Sequence, residues 1–65
     1  MMDGRIAMSL AEAVRGACLE AAARGYEDAA ISGLCHEGAV QASLDAIRMI
    51  ELGPLVAQLR DDAQR

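Results

Sequence analysis

Lysine is absent from this 65-residue sequence, as are phenylalanine and tryptophan. Tyr26 is the single aromatic residue, His36 the single histidine and Pro54 the single proline, and the only cysteines are Cys18 and Cys35. Each shortage excludes something. Without lysine there is no Schiff-base chemistry, no lysine-dependent phosphate loop and no lysine-containing triad. Six arginines against ten acids leave a formal net charge of −4. Phosphate-binding surfaces need clustered cations, so nucleic acid is not an expected partner. Two cysteines make no disulfide framework. A structural zinc site wants four ligands, which Cys18, Cys35 and one histidine do not supply. An arginine or an acid interrupts every apolar run well short of the roughly 20 residues of a membrane span, so no membrane is expected as a partner. The opening MMDGRIAMS is too short and too polar for a secretory leader, which places the expected chain in the cytoplasm with both thiols reduced.

What the sequence does have is alanine. Hydrophobic residues make up 54% of the chain, and alanine is a large share of them. Alanine buries little area, so the hydrophobic stabilisation per residue is small. A chain this short forms one domain, residues 1–65, and buries a smaller fraction of its surface than a typical domain. Regular helix packing and oligomerisation are the expected compensations.

The patterning is helical throughout. Ser9, Leu10, Ala11 and Glu12 read as a capping box, which starts a helix at Ser9 and leaves residues 1–8 as a flexible N-terminus. At about 100° per residue, Leu10, Val14, Ala17, Cys18 and Ala21 share one arc, with Glu12, Arg15 and Glu20 outside it. Gly25 reads as the left-handed cap that ends this helix. Leu19 stands alone among the polar positions and marks a second contact surface if it is more than a scattered surface leucine. Gly33 and Gly38 each weaken a helix by about 1 kcal/mol relative to alanine, which predicts a break between a short helix over 27–32 and a longer one over 35–52. On the longer helix Val40, Leu44, Ile47 and Ile50 form the apolar stripe, opposite Gln41, Asp45 and Arg48. Gly53 and Pro54 stop it, and Pro54 can open a last helix whose apolar face is Leu55, Val56 and Leu59. Asp61 and Asp62 oppose the helix dipole, so residues 60–65 are expected to fray. No strand signal is present.

The stretch SGLCHEGA, residues 32–39, holds the only cluster of chemically versatile side chains. His36 and Glu37 begin a zinc-protease helix motif, but Val40 stands where the second histidine belongs. Residues 32–36 are one residue short of the covalent haem motif, with Ser32 in place of its first cysteine. Cys35 and His36 are neighbours in sequence, but adjacent helical residues diverge by about 100°, so they are not expected to form a dyad. Cys35, His36 and Glu37 are therefore candidate ligand-binding residues, with no catalytic residue, metal or cofactor expected.

Residues 25–52, GYEDAAISGLCHEGAVQASLDAIRMIEL, resemble the central part of short bacterial proteins labelled acetyltransferase. The resemblance covers under half of the chain and implies that Tyr26 to Leu52 form a unit. It carries over no site residue. Sixty-five residues without strand signals do not build the mixed sheet or the glycine-rich pyrophosphate loop of the common acetyltransferase fold.

The expected fold is all-α, a small oligomeric bundle of three to four short helices packed through alanine-rich faces. The expected function is that of a non-enzymatic interaction or accessory module. Its partner is itself, as a homodimer or higher oligomer, or a larger protein, through the stripes Val40, Leu44, Ile47, Ile50 and Leu55, Val56, Leu59. The alternative is a small-ligand or metal-binding protein centred on Cys35, His36 and Glu37.

Overall fold

The computed structural model describes residues 3–63, with side chains as far as Arg60. Among them the chain is all-α: α1 spans Gly4–Ile31, α2 His36–Arg48 and α3 Leu52–Ala63. No strand occurs among the described residues. The count of three falls within the expected range, but α1, at 28 residues, is long rather than short.

The start of α1 lies six residues before the expected one. Asp3, not Ser9, is its cap: the Ile6 amide donates to Asp3 Oδ1 at 2.9 Å and the Ala7 amide to the Asp3 carbonyl at 2.9 Å. An aspartate is at least as good a cap as a serine, and it comes first. Residues 4–8, expected to be a flexible N-terminus, thus belong to α1, and residues 1 and 2 lie outside the described residues. Ser9 is an exposed residue in mid-helix.

Gly25 does not end α1, and the short helix expected over 27–32 is its continuation. The end comes at Gly33, where φ is +95°. The Leu34 amide donates to the Ala29 carbonyl at 3.0 Å and the Gly33 amide to the Ala30 carbonyl at 3.1 Å. These two bonds are the paired closure of a Schellman turn, which glycine makes without steric cost at the left-handed position. The break anticipated between Gly33 and Gly38 is therefore confined to residues 32–35. Gly38 lies inside α2, and a Cβ there would come within 3.1 Å of Leu34 Cδ2.

The second helix stops at Arg48, four residues short of the expected Leu52, and Met49 and Ile50 turn back onto the Asp45 and Ile47 carbonyls. α3 then starts at Leu52 rather than at Pro54. Proline is still in the first turn, where its missing N–H would have had no helical partner. α3 runs on through residues 60–63 of the expected frayed tail, while 64 and 65 lie outside the described residues.

Contacts divide the chain into two compact units, one of residues 17–50 and one of the residues up to Gly16 with those from Glu51 onward. In the first, the later part of α1 and α2 form an antiparallel hairpin. The only buried residues among those described, Ala29 and Ala39, belong to it. Half-buried Ala17, Cys18, Ala21, Ala22 and Gly25 on α1, and Ala42, Ser43, Ala46, Ile47 and Ile50 on α2, complete the packed faces. Gly25 explains why α1 needs no side chain at that point. A Cβ there would lie 3.0 Å from the Ala42 carbonyl oxygen, 3.0 Å from Ala46 Cβ and 3.2 Å from Ser43 Cα. The residue that reads as a helix end is the place where two helix backbones approach closely. In the other unit, Ile6, Leu10, Ala13 and Val14 of α1 are half-buried, as are Leu55, Val56 and Leu59 of α3. Ala13, Leu55, Gln58 and Leu59 line a cavity of about 160 Å³ there.

Candidate functional site

The residues singled out in the sequence, Cys35, His36 and Glu37, sit where the hairpin turns into α2, and all three are exposed. Cys35 is the N-cap, with extended backbone at φ −69° and ψ 171°, and its side chain makes no capping hydrogen bond. Its carbonyl accepts the Ala39 amide at 2.8 Å. Glu37 lies in the first turn of α2, where the helix dipole favours a carboxylate without any further role.

His36 is engaged across the hairpin. Its Nδ1 lies 3.0 Å from the Tyr26 hydroxyl, in a hydrogen bond whose direction follows the imidazole tautomer. The rings meet edge to face, with centroids 5.8 Å apart and planes at 66°. The partner of His36 is therefore the chain's only tyrosine and not its neighbouring cysteine. Among the described residues no three His, Cys, Asp or Glu side chains come together as a metal site. The Tyr26–His36 pair was not anticipated. Its signal was present in the ten-residue separation that spans the turn at Gly33, but it could be read only once Gly33, rather than Gly25, was taken as the end of α1.

This pair marks one of two unlike sides of the hairpin. On the opposite side Glu20, Arg24 and Asp28 rise from α1 beside Ala17, Ala21, Gly25 and Ala46, around an open groove of about 320 Å³. Arg24 Nη2 donates to Glu20 Oε1 at 3.1 Å there, an exposed i,i+4 pair of the solvated kind. The Asp45–Arg48 pair, at 2.8 Å, is equally exposed.

The stripe expected along α2 is divided by the packing. Ile47 and Ile50 are half-buried, whereas Val40 and Leu44 remain exposed. Small residues make the helix contact, through the alanine-rich faces expected from the sequence, because alanine and glycine allow the closer approach. Leu55, Val56 and Leu59 are half-buried within their own unit. Leu19 is among the most exposed large apolar residues, together with Ile31 and Met49.

No family model matches this chain, no curated protein matches its sequence and no solved structure matches its fold with significance. No helix among the described residues is long and apolar enough to cross a membrane.

Proposed function

We propose that this chain is a small protein-interaction module that acts through apolar helix faces and self-associates. The observation that carries this reading is which side chains are exposed: Leu19, Val40 and Leu44, on the two helices of one hairpin, face water, Leu19 to 67%. Fully burying a large aliphatic side chain contributes about 1.5–3 kcal/mol, roughly twice or more what an alanine methyl gives. Here the buried positions hold alanine, while Leu19, Val40 and Leu44 remain exposed. The stabilisation that a larger domain takes from its own core is thus left for a partner. Exposed apolar side chains on neighbouring helices suit a helical partner face better than a small polar ligand.

Native mass spectrometry of the chain recovered gently from its own cells tests the reading. The expected result is a whole multiple of the 6.8 kDa chain, or the chain with a second protein, in either case lost in a Val40→Glu, Leu44→Glu double variant. A lone chain, or one carrying only a metal or small molecule, would overturn it and turn attention to Cys35, His36 and Glu37.

A further inference from the structure

The two units are held closed by different means. In the 17–50 hairpin two buried alanines, the close crossing at Gly25 and the Tyr26–His36 hydrogen bond join one helix to the other. In the other unit no described residue is buried, and on α3 only Leu55, Val56 and Leu59 are even half-buried among the described residues. The cavity of about 160 Å³ beside Ala13, Leu55 and Leu59 removes packing partners from that same contact. Among the described residues no side-chain hydrogen bond or ion pair joins α3 to α1. The chain passes from one unit to the other at two weak places. On α1 the boundary falls at Gly16, an exposed glycine whose Cβ would meet nothing within 4 Å, so it weakens the helix without serving any close contact. At the other passage residues 49–51 belong to no helix. α3, with 12 residues and both Gly53 and Pro54 in its first turn, is too short to stay helical without a packing partner.

We infer that the start of α1 and α3 form a strap that opens as one piece while the 17–50 hairpin stays folded. α3 leaves α1, loses its helix, and α1 unwinds back to Gly16, where glycine interrupts the spread of helix from the hairpin side. Opening bares Leu10, Val14, Leu55, Val56 and Leu59, so the contact stripe expected on α3 is reached in full only through it. Such a piecewise opening follows from the unequal closure of the two units, since each cooperative piece opens with the free energy of its own contacts. The inference goes beyond the interaction-module reading and does not rest on it.

Residue-by-residue amide hydrogen exchange of the full chain, read by NMR and corrected for intrinsic rates, is the test. Amides of residues 8–14 and 56–59 are expected to share one level of protection, at least about 30-fold below that of residues 21–30 and 40–47. Rising urea should erode the hairpin protection steeply and the strap protection shallowly, because opening the strap exposes less surface than unfolding the whole chain. A variant separates the units further. Ala39→Gly removes a buried methyl and weakens α2, and should speed the hairpin amides about tenfold while the strap amides keep their wild-type rates. Equal protection in the two units, one urea slope for all amides, or a common acceleration by Ala39→Gly overturns the inference and makes the chain a single cooperative piece. Low protection in only one of the two strap segments overturns their joint opening. If Ala39→Gly does not fold, the wild-type protection levels and urea slopes decide the matter alone.

Discussion

The two units of the chain pack helices in opposite ways. In the 17–50 hairpin the small residues are inside: Gly25 crosses Ala42 and Ala46 at a distance that excludes even a methyl group, and Ala29 and Ala39 are the buried pair. In the unit built from the start of α1 and from α3, the inward residues are large, with Leu10, Val14, Leu55, Val56 and Leu59 all half-buried. Close approach of backbones trades hydrophobic area for van der Waals contact, and it displaces the large side chains of the hairpin to its flanks. The unit with the closest helix approach is therefore the one whose Leu19, Val40 and Leu44 remain exposed.

The contrast is most directly broken at Gly25. Gly25→Ala gains about 1 kcal/mol in helix propensity, yet its methyl would sit 3.0 Å from the Ala42 carbonyl oxygen, a backbone atom that cannot rotate away. The helices must part, and a net loss of about 2 kcal/mol is expected as a lower urea midpoint. A raised midpoint would show that the crossing is looser than described. Leucine truncation should sharpen the difference between the units. Leu59→Ala is expected to cost about 1.5 kcal/mol, while Leu44→Ala costs less than about 0.5 kcal/mol at concentrations where the chain is monomeric. Equal losses by thermal denaturation would erase the distinction between inward and outward large residues.

A smaller effect belongs to the N-terminus of α1. Asp3→Ala should lose about 1 kcal/mol as its cap to the Ile6 amide disappears, and Ser9→Ala should lose nothing, since serine in mid-helix is a weaker helix former than alanine. The reverse order, read from urea midpoints, would restore the capping box at Ser9. The smallest is Tyr26→Phe, which removes an exposed hydrogen bond to His36 worth about 0.5 kcal/mol and keeps the ring. The His36 ring proton shifts should move while the midpoint barely changes. A large loss of stability would make the pair the main lock of the hairpin.

Helical periodicity, the missing strand signals and the residues around Gly33 were legible in the sequence, because each rests on local chemistry acting within a few residues. The boundaries of α1 were not. A serine three residues before a glutamate has the pattern of a cap wherever it occurs, and Ser9 ceases to be one only because Asp3 has already started the helix. The candidate site was legible as residue types and misleading as a constellation. Cys35, His36 and Glu37 are neighbours in sequence, but His36 turns to Tyr26 across the hairpin.

By itself the sequence determined that the chain is all-α, that it carries a surplus of acids, and that its aliphatic side chains fall on helical stripes, since composition and a 3.6-residue period are local properties. Only the tertiary structure decided which stripe faces inward. Gly25 reads as a terminator until another helix is seen lying 3.0 Å from where its Cβ would be. Val40 and Leu44 read as one stripe with Ile47 and Ile50 until the packing half-buries the last two and leaves the first two exposed. The physical reason is that helix contact selects for the closest fit between two backbones, and closeness depends on both surfaces at once.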